Sequence, residues 1–156
     1  MSEINNNFCG VVRTYHYPEE TKLKSAVFMM NNKKEGNYKE YYLNGQLRKE
    51  VNYINGKMNG IYKSYHENGQ LEEEVNYIDG KKNGNYKQYW KYGQIRIEVN
   101  YIDGKENGIR KSYWENGQLA KEVNYNNGKE NGVCKYYYRT GQLWYEKTCI
   151  DGNKTN

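Results

Sequence analysis

Aliphatic residues are scarce in this chain: Leu, Ile, Val and Phe together account for 25 of its 156 residues. The mean hydropathy is correspondingly low, at -1.23. Such a composition is typical of disordered chains, which bury too little apolar surface to offset the loss of chain entropy. The aromatic content argues the other way, because 19 Tyr and 3 Trp are present and disordered segments are poor in these residues. We therefore expect an ordered fold whose core is built on tyrosine.

Other absences exclude several classes of protein. No apolar run approaches the roughly 18 residues that a membrane span needs, and residues 1–8 lack the basic-then-apolar layout of a secretory signal. The three cysteines, Cys9, Cys134 and Cys149, have no CxxC spacing, so the sequence indicates neither a disulfide framework nor a zinc site. We accordingly expect a cytoplasmic protein without metal or cofactor.

A 24-residue repeat organises the sequence. The phrase Asn44-Gly45-Gln46-Leu47 returns four times at that step, with small variations, and fifteen of the 16 glycines fall on the same lattice. Self-similarity at a fixed period is the signature of a repeat architecture. We predict an N-terminal tail over 1–11 and one repeat domain over 12–156, whose first unit is degenerate. The predicted units span 12–35, 36–59, 60–83, 84–107, 108–131 and 132–156.

Each unit contains two short runs suited to β-strands, 36–42 and 46–53 in the second unit. Runs of this length that are broken by glycine are too short for helices. Asn-Gly between the two runs is a strong hairpin signal, because both residues tolerate a positive φ. A longer loop over 54–60 is expected to lead into the next unit. The predicted fold is all-β, a single elongated antiparallel meander of about twelve strands.

Two hairpin registers are open. A two-residue Asn-Gly turn places Lys39 opposite Glu50 and Tyr42 opposite Leu47, and the Lys–Glu pair then recurs in all five clear units. A three-residue loop with a bulge instead moves Tyr41 onto the Leu47 side. We favour the first register because it pairs opposite charges throughout.

In the favoured register, one face carries Tyr41 and Lys39, and the other carries Tyr38, Leu47 and Val51. Tyrosine suits an interface, since its body is apolar and its tip is polar. The alternative is that this row of tyrosines merely shields the second face of the sheet. The candidate partner-binding face consists of Tyr41, Tyr65, Tyr89, Tyr113 and Tyr137 with Lys39, Lys63, Lys87, Lys111 and Lys135.

The stretch over 51–60, which reads V-x-Y-x-x-G-K-x-x-G, resembles the hairpin of a MORN repeat, and the 24-residue unit resembles the MORN-repeat variant. The resemblance covers 36–152 well and 12–35 weakly. It implies binding and scaffolding as the function, and it supplies no catalytic residues. Bacterial relatives of this kind are antitoxin-like and others occur in large AT-rich DNA viruses. The resemblance therefore leaves a toxin-neutralising or immunity role, and a viral source acting in a host cytoplasm, as alternatives.

His66 is the histidine most open to a chemical interpretation. It occupies the column of Tyr42, Trp90, Trp114 and Tyr138. A lone histidine among aromatic equivalents is most simply one more stacked ring, not a ligand or a base. An enzyme needs a positioned acid, base, nucleophile or metal, and we predict no catalytic residue in this chain.

The cysteines and aspartates receive structural interpretations. Cys134 and Cys149 replace tyrosines of their columns and are expected to act as small fillers. The favoured register places them diagonally, about 7–8 Å apart, which is awkward for a disulfide. Asp79, Asp103 and Asp151 each precede a glycine, and we assign them to turns because no unit has the several carboxylates of a calcium loop.

The sequence therefore predicts a non-enzymatic module that binds a protein of unknown identity. Nucleic acid is disfavoured, because Glu72, Glu73 and Glu74 interrupt any continuous basic track. Membrane surfaces are disfavoured because the sequence has neither an amphipathic helix nor a polybasic cluster.

Both ends of the repeat depart from its pattern, as expected of edge strands. At the N-terminal end, Pro18 with Glu19 and Glu20 is expected to blunt the edge. At the C-terminal end, Trp144 and Tyr145 stand where the second unit has Arg and Lys. We expect these two aromatic residues to form a self-association edge that produces a homodimer.

Overall fold

The computed structural model describes residues 7–18 and 21–155, and it confirms the predicted fold class. Those residues form strands and turns without a helix, and so without any helix able to cross a membrane. The strands are β1 (Gly10–Tyr15), β2 (Leu23–Met30), β3 (Lys33–Tyr41), β4 (Leu47–Ile54), β5 (Lys57–Met58), β6 (Gly60–Tyr65), β7 (Leu71–Ile78), β8 (Lys81–Lys82), β9 (Gly84–Tyr89), β10 (Ile95–Ile102), β11 (Lys105–Tyr113), β12 (Leu119–Asn126), β13 (Lys129–Tyr137), β14 (Leu143–Ile150) and β15 (Asn153–Thr155).

All of these strands belong to one open antiparallel sheet in which neighbours in space follow chain order. The short strands β5 and β8 pair with β4 and β7, and each is the start of a strand that continues as β6 or β9. The sheet thus has thirteen strand positions in a row, and at about 4.8 Å per strand it is about 60 Å long. Consecutive pairing of this kind is the meander that the repeat predicts.

The two kinds of connection differ from the prediction. At Asn55-Gly56 both residues have a positive φ, 51° and 81°, and the strands pair directly on either side, which defines a two-residue type I′ turn. At the other connection only Gly45 has a positive φ, 86°, and its N–H donates to the carbonyl of Tyr42. The predicted two-residue turn at Asn44-Gly45 is therefore wrong, and the expected long loop is the tight turn.

Side-chain hydrogen bonds support the three-residue loop in the units that have asparagine before the glycine. Asn44 Oδ1 accepts from the N–H of Gln46 at 2.9 Å, and Asn44 Nδ2 donates to the carbonyl of Glu67 in the next hairpin at 3.2 Å. Asn44 thereby closes a three-residue loop over 43–45 and ties it to its neighbour, while glycine alone takes the left-handed conformation.

The pairing of β3 with β4 combines both predicted registers. Lys39 lies opposite Glu50, as in the favoured register, and this Lys–Glu pairing recurs in all five units. Tyr41 nevertheless lies opposite Leu47, as in the alternative. A bulge at Arg48 reconciles the two, because one extra residue on β4 shifts the alternation of side chains. The prediction that Leu47 shares a face with Tyr38 is therefore wrong.

Valine and tyrosine form the core on one face of the sheet. Val75 and Val123 are almost wholly buried, and each lies opposite a residue of a neighbouring strand. Val75, for example, lies opposite Tyr62. Two buried clusters result, a central one built on Val75, Tyr77, Tyr86 and Val99, and a C-terminal one built on Val123, Cys134 and Cys149. Burial of apolar surface on this face is the main stabilising contribution.

The first unit is degenerate in sequence but keeps the hairpin. Asn31 and Asn32 both have a positive φ, 51° and 61°, so asparagine replaces the glycine of the type I′ turn. Strand β1 begins at Gly10, inside the predicted tail. Pro18 lies in the β1–β2 connection and not on the edge strand, so it does not blunt that edge as expected. Glu19 and Glu20 lie outside the described residues.

Candidate functional site

The sheet presents two chemically distinct faces. Alternation along the strands places Tyr38, Val51 and their equivalents on one side, which we call the core face. Lys39, Tyr41, Glu50 and their equivalents lie on the opposite side, which we call the ladder face. The ten predicted partner-binding residues are thus brought together in two parallel rows of the ladder face.

The tyrosine row of the ladder face is half-buried, and glutamates of the preceding unit hold two of its members, Tyr65 and Tyr113. Tyr65 Oη donates to Glu50 Oε1 at 3.0 Å, and Tyr113 Oη donates to Glu98 Oε1 at 2.6 Å. Burial first, and then the hydrogen bond to glutamate, raises the pKa of Tyr65 to about 12, and Tyr113 behaves in the same way. These hydroxyls are fixed neutral donors and not nucleophiles at neutral pH.

The lysine row is matched by an equal number of glutamates. Lys39 Nζ lies 3.8 Å from Glu50 Oε2, and Lys63 Nζ lies 3.2 Å from Glu74 Oε2. The five lysines face Glu50, Glu74, Glu98, Glu122 and Glu146 across the ladder. The central band of this face therefore has no net charge, which does not suit a polyanion.

The sequence-based prediction omitted a set of exposed apolar residues on the ladder face. They form two columns close to the type I′ turns and are each about half exposed. The columns contain Ile54, Ile78, Ile102 and Ile150, and Ile61, Ile109 and Val133. Their 24-residue period, shared with the rest of the lattice, is the signal that could have revealed them. Exposed apolar residues that recur in rows on one face of a sheet are candidates for an interaction surface.

Two shallow depressions lie on the ladder face beside these columns. Each has a volume of about 410 Å³. The first is lined in part by Asn37, Lys39, Glu50, Asn52 and Ile61, and the second by the equivalent residues two units later. Amide, charged and apolar groups thus alternate along the face at a fixed spacing.

The aromatic column that contains His66 joins successive hairpins. Trp90 Nε1 donates to the carbonyl of Tyr113 at 3.3 Å, and Trp114 Nε1 donates to the carbonyl of Tyr137 at 3.2 Å. His66 Nε2 lies 3.1 Å from the carbonyl of Tyr89, and since a carbonyl only accepts, Nε2 is the donor. His66 therefore fills the same structural place as the tryptophans of its column.

The core face has a set of three neighbouring lattice positions whose chemistry changes along the sheet. Near the start of β3, Lys34 Nζ lies over the rings of Tyr38 and Tyr53, at 4.4 and 5.0 Å from their centroids. Lys82, Tyr86 and Tyr101 repeat that cation–π arrangement two units later. At the C-terminal end the same three positions hold Glu130, Cys134 and Cys149.

The C-terminal trio brings two thiols and a carboxylate together. Cys134 Sγ and Cys149 Sγ are 3.7 Å apart, and they lie 3.8 and 3.6 Å from Glu130 Oε2. Both cysteines are free and fully buried, as expected of fillers, and they lie on a diagonal of the sheet as predicted, with their sulfur atoms in contact. The side chains converge because Cys149 lies opposite Gly132, which leaves them room.

Cations surround the carboxylate of this trio. Lys121 Nζ lies 3.0 Å from Glu130 Oε1, and Lys147 Nζ lies 3.4 Å from Glu130 Oε2. Burial alone would raise the pKa of Glu130, but the hydrogen bond and charge of Lys121, and then those of Lys147, hold it at about 2. Burial, followed by the hydrogen bond to Cys149, raises the pKa of Cys134 to about 11. The cluster therefore places an ionised carboxylate beside the protonated thiol of Cys134.

The predicted self-association residues lie on β14. Trp144 is 62% exposed, and its ring packs against those of Tyr138 and Tyr145, with centroids 5.9 and 6.4 Å away. Among the described strands, β15 pairs with β14 only over Thr148 to Ile150. Self-association through Trp144 and Tyr145 stays a prediction.

The fold and its two faces define a class, the open sheets of repeated β-hairpins whose side chains stand in rows. A family model for the MORN repeat variant matches five consecutive segments of the chain, 34–55, 58–79, 82–103, 106–127 and 130–148. The chain belongs to this family, as its resemblance implied. MORN repeats are generally non-catalytic scaffold modules that bind proteins or membranes. No curated protein matches the chain.

Proposed function

We propose that this protein is a non-enzymatic scaffold whose ladder face binds a partner protein. The observation that supports this proposal most strongly is the pair of half-exposed apolar columns, which includes Ile78, Ile102 and Ile109, beside a charge-balanced ladder. Apolar columns flanked by paired charges match the mixture of apolar core and polar rim found in protein interfaces. The partner we expect presents an apolar strip with charges of both signs on its borders.

The electrostatics of the face favour protein over other partners. A nucleic acid or an anionic membrane is attracted by unpaired cations, whereas the lysines of the ladder, such as Lys63, have a glutamate opposite them. The half-buried tyrosines extend the surface with rigid rings that lose little entropy on binding. No feature of the described residues favours a toxin-neutralising role over general protein binding.

Binding experiments with matched variants test the proposal. The protein and a variant with Ile78→Lys, Ile102→Lys and Ile109→Lys are used as baits against extract of the source cells. A control variant carries Leu43→Lys and Tyr92→Lys, which are exposed to a similar degree but lie at the three-residue loops. We expect a specific protein to be retained by the wild type and the control variant, and lost by the ladder-face variant.

Circular dichroism of all three baits checks that the sheet is intact. Retention of the same protein by the ladder-face variant would contradict the proposal, because binding would then use another surface. Loss of binding in the control variant alone would contradict it equally.

A further inference from the structure

We propose that Cys134, Cys149 and Glu130 on the core face form a binding site for one zinc ion. The three side chains come from two adjacent strands, β13 and β14, and their ligand atoms all lie within 4.8 Å of one another. Thiolate sulfur and carboxylate oxygen are both ligands that zinc accepts. Neither the family nor the ladder face accounts for this cluster.

The distances match a tetrahedral zinc site. With zinc–sulfur bonds of about 2.3 Å and a tetrahedral angle, two sulfur ligands are about 3.8 Å apart, and sulfur and carboxylate oxygen are about 3.5 to 3.7 Å apart. The corresponding distances here are 3.7 Å between the sulfur atoms and 3.8 and 3.6 Å from them to Glu130 Oε2. The three donors thus match one face of a coordination tetrahedron.

The surrounding charges suit a loaded site. Two thiolates and one carboxylate have three negative charges, of which a divalent ion neutralises two. Lys121 and Lys147, both in contact with Glu130, more than offset the one negative charge that remains. Tyr125 Oη also donates to Glu130 Oε1 at 3.4 Å, whereas Oε2, the oxygen that faces the sulfur atoms, is contacted by Lys147 Nζ at 3.4 Å. Hydrogen-bonded neighbours that fix a carboxylate in this way are typical of metal sites.

The other units provide an internal comparison. The equivalent positions hold Lys34, Tyr38 and Tyr53 in one unit and Met58, Tyr62 and Tyr77 in the next, sets that contain neither a cysteine nor a carboxylate. In the last unit a third change accompanies the cysteines, since Lys147 replaces the buried valine of its column. A lysine beside two cysteines weakens apolar packing, but it offsets the charge of a thiolate site.

Metal titration of the full chain tests this proposal. The protein is reduced, stripped with a chelator and titrated with Co²⁺, whose absorption reports tetrahedral thiolate coordination, and then with Zn²⁺ in competition. We expect one ion per chain, with thiolate-to-cobalt charge-transfer bands that disappear when zinc displaces the cobalt.

Three variants locate the site. Cys134→Ser with Cys149→Ser is expected to abolish the bands, and Glu130→Gln to weaken the affinity at least about tenfold. Cys9→Ser, which removes an exposed cysteine elsewhere, should leave both stoichiometry and affinity unchanged. Circular dichroism confirms that each variant folds, and Glu130→Gln retains both thiols if the double variant does not fold.

Several outcomes would overturn the proposal. Absence of tetrahedral bands in the wild type would show that the two thiols are only packed together. Binding that persists in the double cysteine variant, or that is lost with Cys9→Ser, would place the ion elsewhere. A mass two hydrogens lower in the protein before reduction, and restored by reduction, would show that the pair is a disulfide instead of a metal site.

Discussion

The centre and the C-terminal end of the sheet share one backbone pattern but differ in what fills it. In the centre, Tyr86 and Tyr101 pack edge to face with centroids 5.7 Å apart, and Val99 lies in the same cluster. At the C-terminal end the equivalents of those two tyrosines are Cys134 and Cys149. The strands pair in the same register in both regions.

This comparison shows that the fold is specified by the turns and ladders, and that the three core positions are free to change their chemistry. The glycines of the type I′ turns tie neighbouring units by identical bonds, such as Gly80 N–H to the carbonyl of Met58 and Gly128 N–H to that of Glu106, both at 2.8 Å. A lattice held in this way tolerates a loss of aromatic packing in one unit. We therefore infer that the aromatic centre contributes most of the stability of the sheet, and that the C-terminal end contributes the proposed zinc ligands.

The largest expected effect comes from truncating the side chains at two equivalent positions, Tyr86 in the centre and Cys134 at the C-terminal end. Tyr86→Ala should lower the free energy of unfolding by about 3 kcal/mol, because it removes a buried ring from the central cluster. Cys134→Ala in the metal-free protein should cost only about 1 kcal/mol, since one buried sulfur atom is lost. Urea unfolding of both variants measures the difference. Equal losses of unfolding free energy would contradict the inference that the centre contributes more stability than the C-terminal end.

A second prediction concerns the buried carboxylate on the N-terminal side of the centre. Glu40 is hydrogen-bonded to Tyr38, and it pairs with Arg48 at 2.7 Å and Lys49 at 2.9 Å. Burial opposes ionisation of Glu40, but Tyr38, Lys49 and Arg48 outweigh it, and the pKa of Glu40 is lowered from 4.5. Glu40→Gln should therefore cost about 2 kcal/mol at neutral pH.

The sign of the pH dependence follows from the lowered pKa. The contribution of ionised Glu40 is fully present above the unfolded pKa of 4.5 and is lost as the pH falls through the lower pKa of the folded state. The stability difference between wild type and Glu40→Gln should thus be constant above about pH 5.5 and shrink at lower pH. Urea unfolding from pH 3 to 7 tests this, and a difference that grows on acidification would contradict it.

The smallest expected effect is that of replacing a glycine of the type I′ turns, and it should be equal in the two regions. Gly80 and Gly128 have φ of 81° and 83°, and a Cβ at either position would lie 3.8 or 3.6 Å from a lysine side chain, which is ordinary contact. Gly80→Ala and Gly128→Ala should each cost about 1–2 kcal/mol from the left-handed conformation alone. Unequal losses in thermal or urea unfolding would show that the backbone pattern is not equivalent in the two regions.

Much of the fold was predictable from the sequence because the repeat constrains it. The Lys39–Glu50 pairing follows from opposite charges at a fixed spacing, and the structure confirms it. The loop types were not predictable, because Asn-Gly occurs at both connections. The three-residue loop also forms at Tyr92 and Thr140, and where asparagine is present it is supported by bonds such as those of Asn44 to Gln46 and to the next hairpin. Those bonds depend on neighbouring units, which a local dipeptide rule does not include.

The candidate sites were predictable to different degrees. The tyrosine and lysine rows follow from the repeat, and the structure places Tyr41 with Lys39 on one face as expected. The isoleucine columns have the same 24-residue period, but the prediction from sequence named only the tyrosine and lysine rows. The contact between Cys134 and Cys149 depends on where side chains point across a diagonal of the sheet, which spacing alone does not give.

Hydrogen exchange resolved by strand in the metal-free protein tests the central claim most directly. If the aromatic centre provides the stability, amides of β7, β9 and β10 should exchange slowest, and those of β13 and β14 at least about tenfold faster. Protection of β13 and β14 that equals or exceeds that of β7, β9 and β10 would contradict the account.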